Sequence, residues 1–465
     1  MGTPLIPIKH DVRRLETWLF IALLWLNSGA FVFVENIDHK RGEIFLFLLA
    51  ILLLILTVIN NLARRRLVPF AMGGWSKYLI CFFVMSIVIT ALTSMYIDKD
   101  TYQISRSYFR YFFFIIIPYI VFSARMPADL LIKNILLINF VLFALVILTW
   151  VTGVQIFASS FTDFEPGDGD IQEMAEGGVR LIPYGLVCAM FAVVYGVLRI
   201  TQKSLTLRLR ERNFLMLSVV AGMAILLLTF TRSVIAPTVI VLMASFVKIG
   251  GLTGRSGKSI LLFFFTLIAL LLVDYLLGGV ISSVLIDRFS LALERGDAWR
   301  GLEIEEALET ISRNIIFGIG LGAPYTNIMS SLATEGYDVN ANFDIHNAYL
   351  SMLVSYGLIG FIVFLFGGYK FLKIYLPTGE KERLFVLACK LLMAITLIQG
   401  FYTGPFFVSR TSFWYAFFLS YAIYLSVGNR SGPRSGQPNP DTLLRPFSYS
   451  TGVRYPSVEC NRTAS

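Results

Sequence analysis

His346 and Asn347 form a polar pair in the run Ile345-His346-Asn347-Ala348-Tyr349-Leu350, just ahead of an apolar stretch, 351–366, long enough to cross a membrane. Histidine occurs only three times in the 465 residues. An imidazole with the ordinary pKa of about 6.5 is largely neutral near pH 7, so His346 can accept a proton from an attacking hydroxyl. An interfacial imidazole with no chemical task is the other reading of the same residue.

Four arginines are the natural partners of such a base. Arg232, in Thr231-Arg232-Ser233, interrupts an otherwise apolar stretch from 214 to 247. An arginine facing lipid costs about 2.5–3.5 kcal/mol at mid-bilayer and less near the interface, so Arg232 either holds an anionic group or snorkels to headgroups. Arg180 follows an acidic segment, 163–176. Its planar guanidinium suits bidentate binding of diphosphate oxygens, or it pairs with Asp168, Asp170, Glu173 or Glu176. Arg295 and Arg300 flank Trp299; a solvated charged face explains either alone. Together the four make a cationic set of the kind a polyanionic lipid headgroup requires.

Two lookalikes carry no chemistry. Gly254-Arg255-Ser256-Gly257-Lys258-Ser259 ends like a phosphate-binding loop, but Leu252 stands where the first glycine belongs and no strand precedes it. Asp168-Gly169-Asp170 looks like a metal-binding carboxylate pair of nucleotide-sugar transferases, yet it falls on the face where nucleotide sugars are not supplied. The histidines form no cluster to hold a transition metal, so metal-independent chemistry is expected, although carboxylates could still bind a hard cation, and no cofactor is expected. Cys81, Cys188 and Cys389 lie in apolar runs, where they pack as small hydrophobes, and Cys460 lies in the tail.

The elements that position these residues follow from composition. With 56% hydrophobic and 15% charged residues, and a mean hydropathy of +0.71, the chain is a polytopic membrane protein, because a soluble core of this length cannot hide so much apolar surface. No cleavable signal peptide is evident. Since about 20 apolar residues span a bilayer, about twelve transmembrane helices are expected, at 18–34, 43–59, 78–93, 108–122, 131–151, 181–200, 214–230, 233–247, 260–280, 347–368, 384–401 and 411–426. The fold class is therefore all-α, with a membrane domain over 1–428 and a disordered cytoplasmic tail over 429–465, rich in Ser, Pro, Gly and Arg.

Basic loops at 64–66, 199–212, 248–258 and 370–383 alternate along the chain, which puts both termini in the cytoplasm. The net charge of +9 is thus mostly an orientation signal, and no nucleic acid partner is implied. The longest hydrophilic segment, about 282–344, lies on the opposite face. Within it Trp299, Leu302, Ala307, Leu308 and Ile311 recur at helical spacing among glutamates, predicting an amphipathic helix on the membrane surface or over the bundle. Gly318-Ile319-Gly320-Leu321-Gly322 should end it and allow close backbone approach.

Thr231-Arg232-Ser233 between two helices, Trp299-Arg300 leading to Gly318-x-Gly320-x-Gly322, and His346-Asn347-x-Tyr349-Leu350 running into Tyr356-Gly357-Leu358-Ile359-Gly360 together resemble the O-antigen ligase and polymerase superfamily of bacterial envelope glycan assembly. The resemblance covers about 180–366. It implies a helical membrane fold similar to the lipid-linked-sugar (GT-C-like) glycosyltransferases, in the bacterial inner membrane with its active site facing the periplasm. It implies transfer of a glycan from undecaprenyl diphosphate to a lipid A core sugar by a ligase, or to the next lipid-linked repeat by a polymerase. His346 would then take the acceptor proton and Asn347 or nearby backbone would orient the imidazole, while Arg180 and Arg232, with Arg295 or Arg300, would hold the diphosphate. A glycolipid flippase or secondary transporter is the alternative of another class. Such a transporter should show matched inverted halves, whereas here the polar mass sits on one side.

Overall fold

The computed structural model describes residues 11–30, 39–63, 74–152, 183–202, 208–228, 232–250, 298–324, 345, 347–401 and 409–428. Among the described residues there are twelve helices and no strand: α1 (Asp11–Asn27), α2 (His39–Ala63), α3 (Gly74–Thr93), α4 (Thr101–Ala124), α5 (Ala128–Thr152), α6 (Leu186–Thr201), α7 (Leu209–Leu228), α8 (Arg232–Gly250), α9 (Ala298–Arg313), α10 (Ala348–Leu372), α11 (Glu380–Gln399) and α12 (Ser409–Gly428). All but α9 fall on predicted spans, and α9 is the predicted amphipathic helix. The predicted span at 260–280 and the tail from 429 lie outside the described residues.

Among the described residues, five helices are long and apolar enough to cross a membrane: Phe45–Leu62 within α2, α4, Ala128–Thr149 within α5, α7 and α10. Their outer faces match lipid rather than water. On α2 the residues Phe45, Leu48, Leu52, Ile55, Ile59 and Leu62 are exposed, a stripe at three- and four-residue steps that reverses the polarity of a soluble protein's surface helix. Cys81 is on an exposed face of α3, whereas Cys188 and Cys389 are buried as expected.

The main core gathers around α6, buried at every position from Leu186 to Arg199. A helix apolar on all sides belongs at the centre of a bundle, and α5, α7 and α11 pack on it. The aromatic face of α12 (Phe413, Trp414, Phe417, Tyr421) fills the space against α4. Some buried polar groups in this core find partners, which offsets the cost of their burial: the Tyr421 hydroxyl donates to Met126 O (2.7 Å) and Asn139 Nδ2 to Ser218 O (2.9 Å). Buried Arg199 pairs with Glu211 at 3.1 Å.

Three helices stand at the edge of this core and make the frame that matters for function. α3 packs on α10 and α4, and α9 packs on α10. Two small clusters seal the frame: Ala307, Ile319, Ala323, Ile345 and Val354 beneath α9, and Ile89, Leu321, Met352 and Tyr356 between α3 and α10. Helix α10 is not the continuous span that the sequence suggests. It is broken at Gly357, whose φ of 60° and ψ of −165° are non-helical.

Candidate active site

The break in α10 and the glycine-rich turn after α9 are two halves of one device. In an uninterrupted helix the amides of Leu358 and Ile359 would donate to the carbonyls of Val354 and Ser355. Here Leu358 N donates to Ile315 O (2.8 Å) and Ile359 N to Ile316 O (3.4 Å), while Val354 O and Ser355 O accept from Ile319 N (2.8 Å) and Gly320 N (2.9 Å). The turn therefore supplies partners for two amides and two carbonyls freed at the kink, as irregular backbone within an apolar span requires.

The same turn is tied to the corner between α3 and α4. Asp100 N donates to Gly322 O (2.8 Å) and Leu321 N to Thr90 Oγ1 (3.2 Å). Lys99 closes this corner: its ammonium donates to Thr90 O at 2.7 Å and to the Thr93 hydroxyl, and it rests on the face of Gly320. Burial lowers the Lys99 pKa to about 8. Asp100 caps α4, accepting from Tyr102 N (2.8 Å).

At the start of α10, Asn347 is the N-cap. Its Oδ1 accepts from Tyr349 N (2.9 Å) and Leu350 N (3.1 Å), and its Nδ2 donates to Phe401 O (3.1 Å). Ala348 N donates to Gly400 O (2.8 Å), the Tyr349 hydroxyl donates to Leu397 O, and the Tyr349 ring lies 4.5 Å from that of Phe401. The side chain of Asn347 thus clips the mouth of α10 to the end of α11 and fixes the backbone next to His346.

Between α4, α10 and the turn lies a polar cavity of about 40 Å³, lined by Gln103, Ser107 and Arg110 of α4, Ser351 and Ser355 of α10, residues 319–323 and Ile345. Arg110 is 6% exposed. It was not singled out in the sequence, although an ionisable residue in an apolar span is a functional signal and Gln103, Ser107 and Arg110 recur at four- and three-residue steps. An apolar cavity of about 150 Å³ lies between α3, α4 and α10. Tyr111 lines both.

Of the residues singled out from the sequence, Asn347 is described in full. Arg232 is the first residue of α8 and Arg300 the third of α9, with side chains outside the description. His346, Arg180 and Arg295 lie outside the described residues, as do Asp168, Asp170 and the 254–259 loop. The sequence neighbours of His346 are placed: Ile345 is buried in the wall of the polar cavity, and Asn347 caps α10. Among the described residues no group of three or more His, Cys, Asp or Glu comes together.

No curated protein matches the chain. Residues 217–365 match the family described as O-Antigen ligase, a region running from α7 through most of α10 and including Arg232, Arg295, Arg300, the glycine-rich turn, His346 and Asn347. Arg180, Lys99 and Arg110 fall before it. The match covers about a third of the chain, and over that stretch the chain is similar to O-antigen ligases, which supports a ligase- or polymerase-like membrane glycosyltransferase.

Proposed function

We propose that the protein is an O-antigen ligase of the bacterial inner membrane, transferring a finished glycan from undecaprenyl diphosphate to a lipid A core sugar on the periplasmic face. The observation that carries this reading is the O-antigen ligase match over 217–365, which takes in the candidate base together with three of the four candidate arginines. The acceptor hydroxyl oxygen attacks the anomeric carbon, the bond from that carbon to the diphosphate oxygen breaks, and the hydroxyl proton passes to His346. Negative charge gathers on the departing diphosphate. Arg180, Arg232, Arg295 and Arg300 supply the cationic set that stabilises it. Asn347 acts on the backbone, holding the residue next to it at the mouth of α10. The prenyl diphosphate bond already carries leaving-group energy, so no nucleotide is consumed.

The test is the envelope glycan profile of a deletion strain, with lipid-linked intermediates analysed beside finished glycolipid. A ligase predicts full-length polymer accumulating on the carrier while lipid A core stays bare. Single repeats, transferred or accumulating without long chains, would make the protein a polymerase. Lipid-linked glycan held on the cytoplasmic face would make it a flippase.

A further inference from the structure

Helix α9 has three faces where an amphipathic helix needs two. Its inner face carries Glu303 and Ala307, both buried, and Ala307 packs with Ile319, Ile345 and Val354. Its polar face carries Glu305, Glu309, Ser312 and Arg313, all exposed, with Glu309 and Arg313 paired to each other one turn apart. Between these faces runs a stripe of Ile304, Leu308, Ile311 and, just past the end of the helix, Ile315, at four- and three-residue steps that keep to one side. Ile304, Leu308 and Ile315 are exposed.

The stripe ends in Ile315-Ile316-Phe317, three consecutive apolar residues each more than half exposed. Their depth is set by α10. Ile315 O and Ile316 O accept from Leu358 N and Ile359 N, so the segment lies beside the Gly357 kink, nine residues into α10 and about 14 Å from its start. Leu358, Ile359 and Ile362 are exposed on α10 as well. This face runs on to exposed Tyr369, where the Lys373 ammonium sits over the ring at 5.4 Å from its centre. A tyrosine and a lysine that end an apolar stripe mark a membrane boundary. From Tyr369 back to Ala348 is about 32 Å of helix, against a hydrocarbon core of about 30 Å. With one end of α10 at each boundary, residues 315–317 lie well inside the core. Such a run in water would be a defect, whereas at this depth it matches acyl chains.

We propose that α9 and the turn after it form a wedge inserted in the bilayer, with the Ile304–Ile315 stripe on acyl chains and Ile316 and Phe317 reaching into the hydrocarbon beside Leu358. The partner is lipid rather than a second protein, because the stripe is continuous with the exposed apolar face of α10 and lies within its thickness, while the charges of α9 keep to a separate face. The carbonyls of Ile315 and Ile316 are satisfied by α10, as backbone at that depth must be. Because Ala307 packs on Ile345 and Val354, the wedge also fixes the height of the α10 mouth relative to the membrane. The inference concerns the bilayer alone and holds for a ligase, a polymerase or a flippase.

The experiment places a nitroxide on single cysteines, Phe317→Cys, Leu308→Cys and Glu309→Cys, in the full-length protein carrying Cys81→Ser and Cys460→Ser; Cys188 and Cys389 are buried and stay. In vesicles of phosphatidylethanolamine and phosphatidylglycerol, collisions of each label are measured with oxygen and with a water-soluble nickel chelate. The oxygen-to-nickel ratio at 317 should exceed that at 309 by on the order of tenfold, since oxygen concentrates in hydrocarbon and the chelate in water. A ratio at 317 equal to that at 309 would put the segment in water and overturn the wedge. A 317 label that neither reagent reaches would mean that protein covers the stripe, which overturns it equally. If the Phe317→Cys protein does not insert, the Leu308→Cys label, on regular helix, decides by the same comparison. None of these outcomes bears on the envelope glycan profile, so this inference and the ligase reading fail separately.

Discussion

The backbone of Gly318 lies against that of Gly357. A Cβ on Gly318 would stand 2.7 Å from Gly357 N, and one on Gly357 would stand 2.6 Å from Phe317 N. Both have positive φ, 68° and 60°, and the ψ of −165° puts Gly357 in a region essentially restricted to glycine. Gly357→Ala should therefore cost more than the roughly 1–3 kcal/mol of backbone strain, because the hydrogen bonds between the turn and the kink must also part. Thermal unfolding in detergent is expected to show a clear fall in Tm. An unchanged Tm would mean that α10 can straighten at no cost.

Asn347 makes a second, separable contribution. Asn347→Ala removes the cap and the clip to Phe401, and a lost cap alone costs about 0.5–2 kcal/mol. Asn347→Asp keeps an acceptor for Tyr349 N and Leu350 N, favoured by the helix dipole, and loses only the Nδ2 donor. Alanine should lower Tm more than aspartate does. Equal losses would assign the stabilisation to the Phe401 contact instead of the cap.

The sequence showed where the helices lie and which of them is amphipathic, because apolar length and 3.6-residue spacing are local properties. It also marked Gly318, Gly320 and Gly322 as a place of close approach. It did not show what they approach. Gly357 reads as an ordinary glycine in an apolar run, and only the paired exchange of hydrogen bonds with 315–320 reveals the kink. Arg110 was hidden for a similar reason: within one helix it resembles a stray charge, and its neighbours Ser351 and Ser355 come from more than 240 positions away. Asn347 was legible as a site residue by its place beside His346, while its cap and its contact with Phe401 required the fold.

Lys99 gives a pH signature. Burial lowers its pKa from 10.5 to about 8, so the folded protein releases this proton before the unfolded chain does. Between about pH 8 and 10.5 the unfolded chain binds more protons, and linkage then makes stability rise with pH. The penalty for holding the charge is fully present below that window. Since Lys99 is only partly buried, the gain is small. The Tm of wild type relative to Lys99→Met should rise on going from pH 8 to pH 10, and a difference that stays constant would place the amine in water.

For His346 the expected result is loss of transfer with normal insertion. His346→Ala should nearly abolish glycan transfer in membranes that hold wild-type amounts of protein. In the wild type, kcat/KM should fall on the acid side as the imidazole, ordinarily near pKa 6.5, takes up its proton. Activity retained by the alanine variant would remove the general-base role.

Arg232 distinguishes geometry from charge. It opens α8, where unpaired backbone N–H groups and the helix dipole also favour an anion. Lysine keeps the charge but presents it as a point instead of a planar fork. If the guanidinium grips two oxygens of the leaving diphosphate, Arg232→Lys should slow transfer by about tenfold or more, equivalent to about 1.4 kcal/mol at the transition state. The loss should appear in kcat/KM for the lipid-linked donor and leave the acceptor's apparent KM unchanged. Full turnover with lysine would reduce Arg232 to a surface anchor, because a headgroup contact needs only the charge.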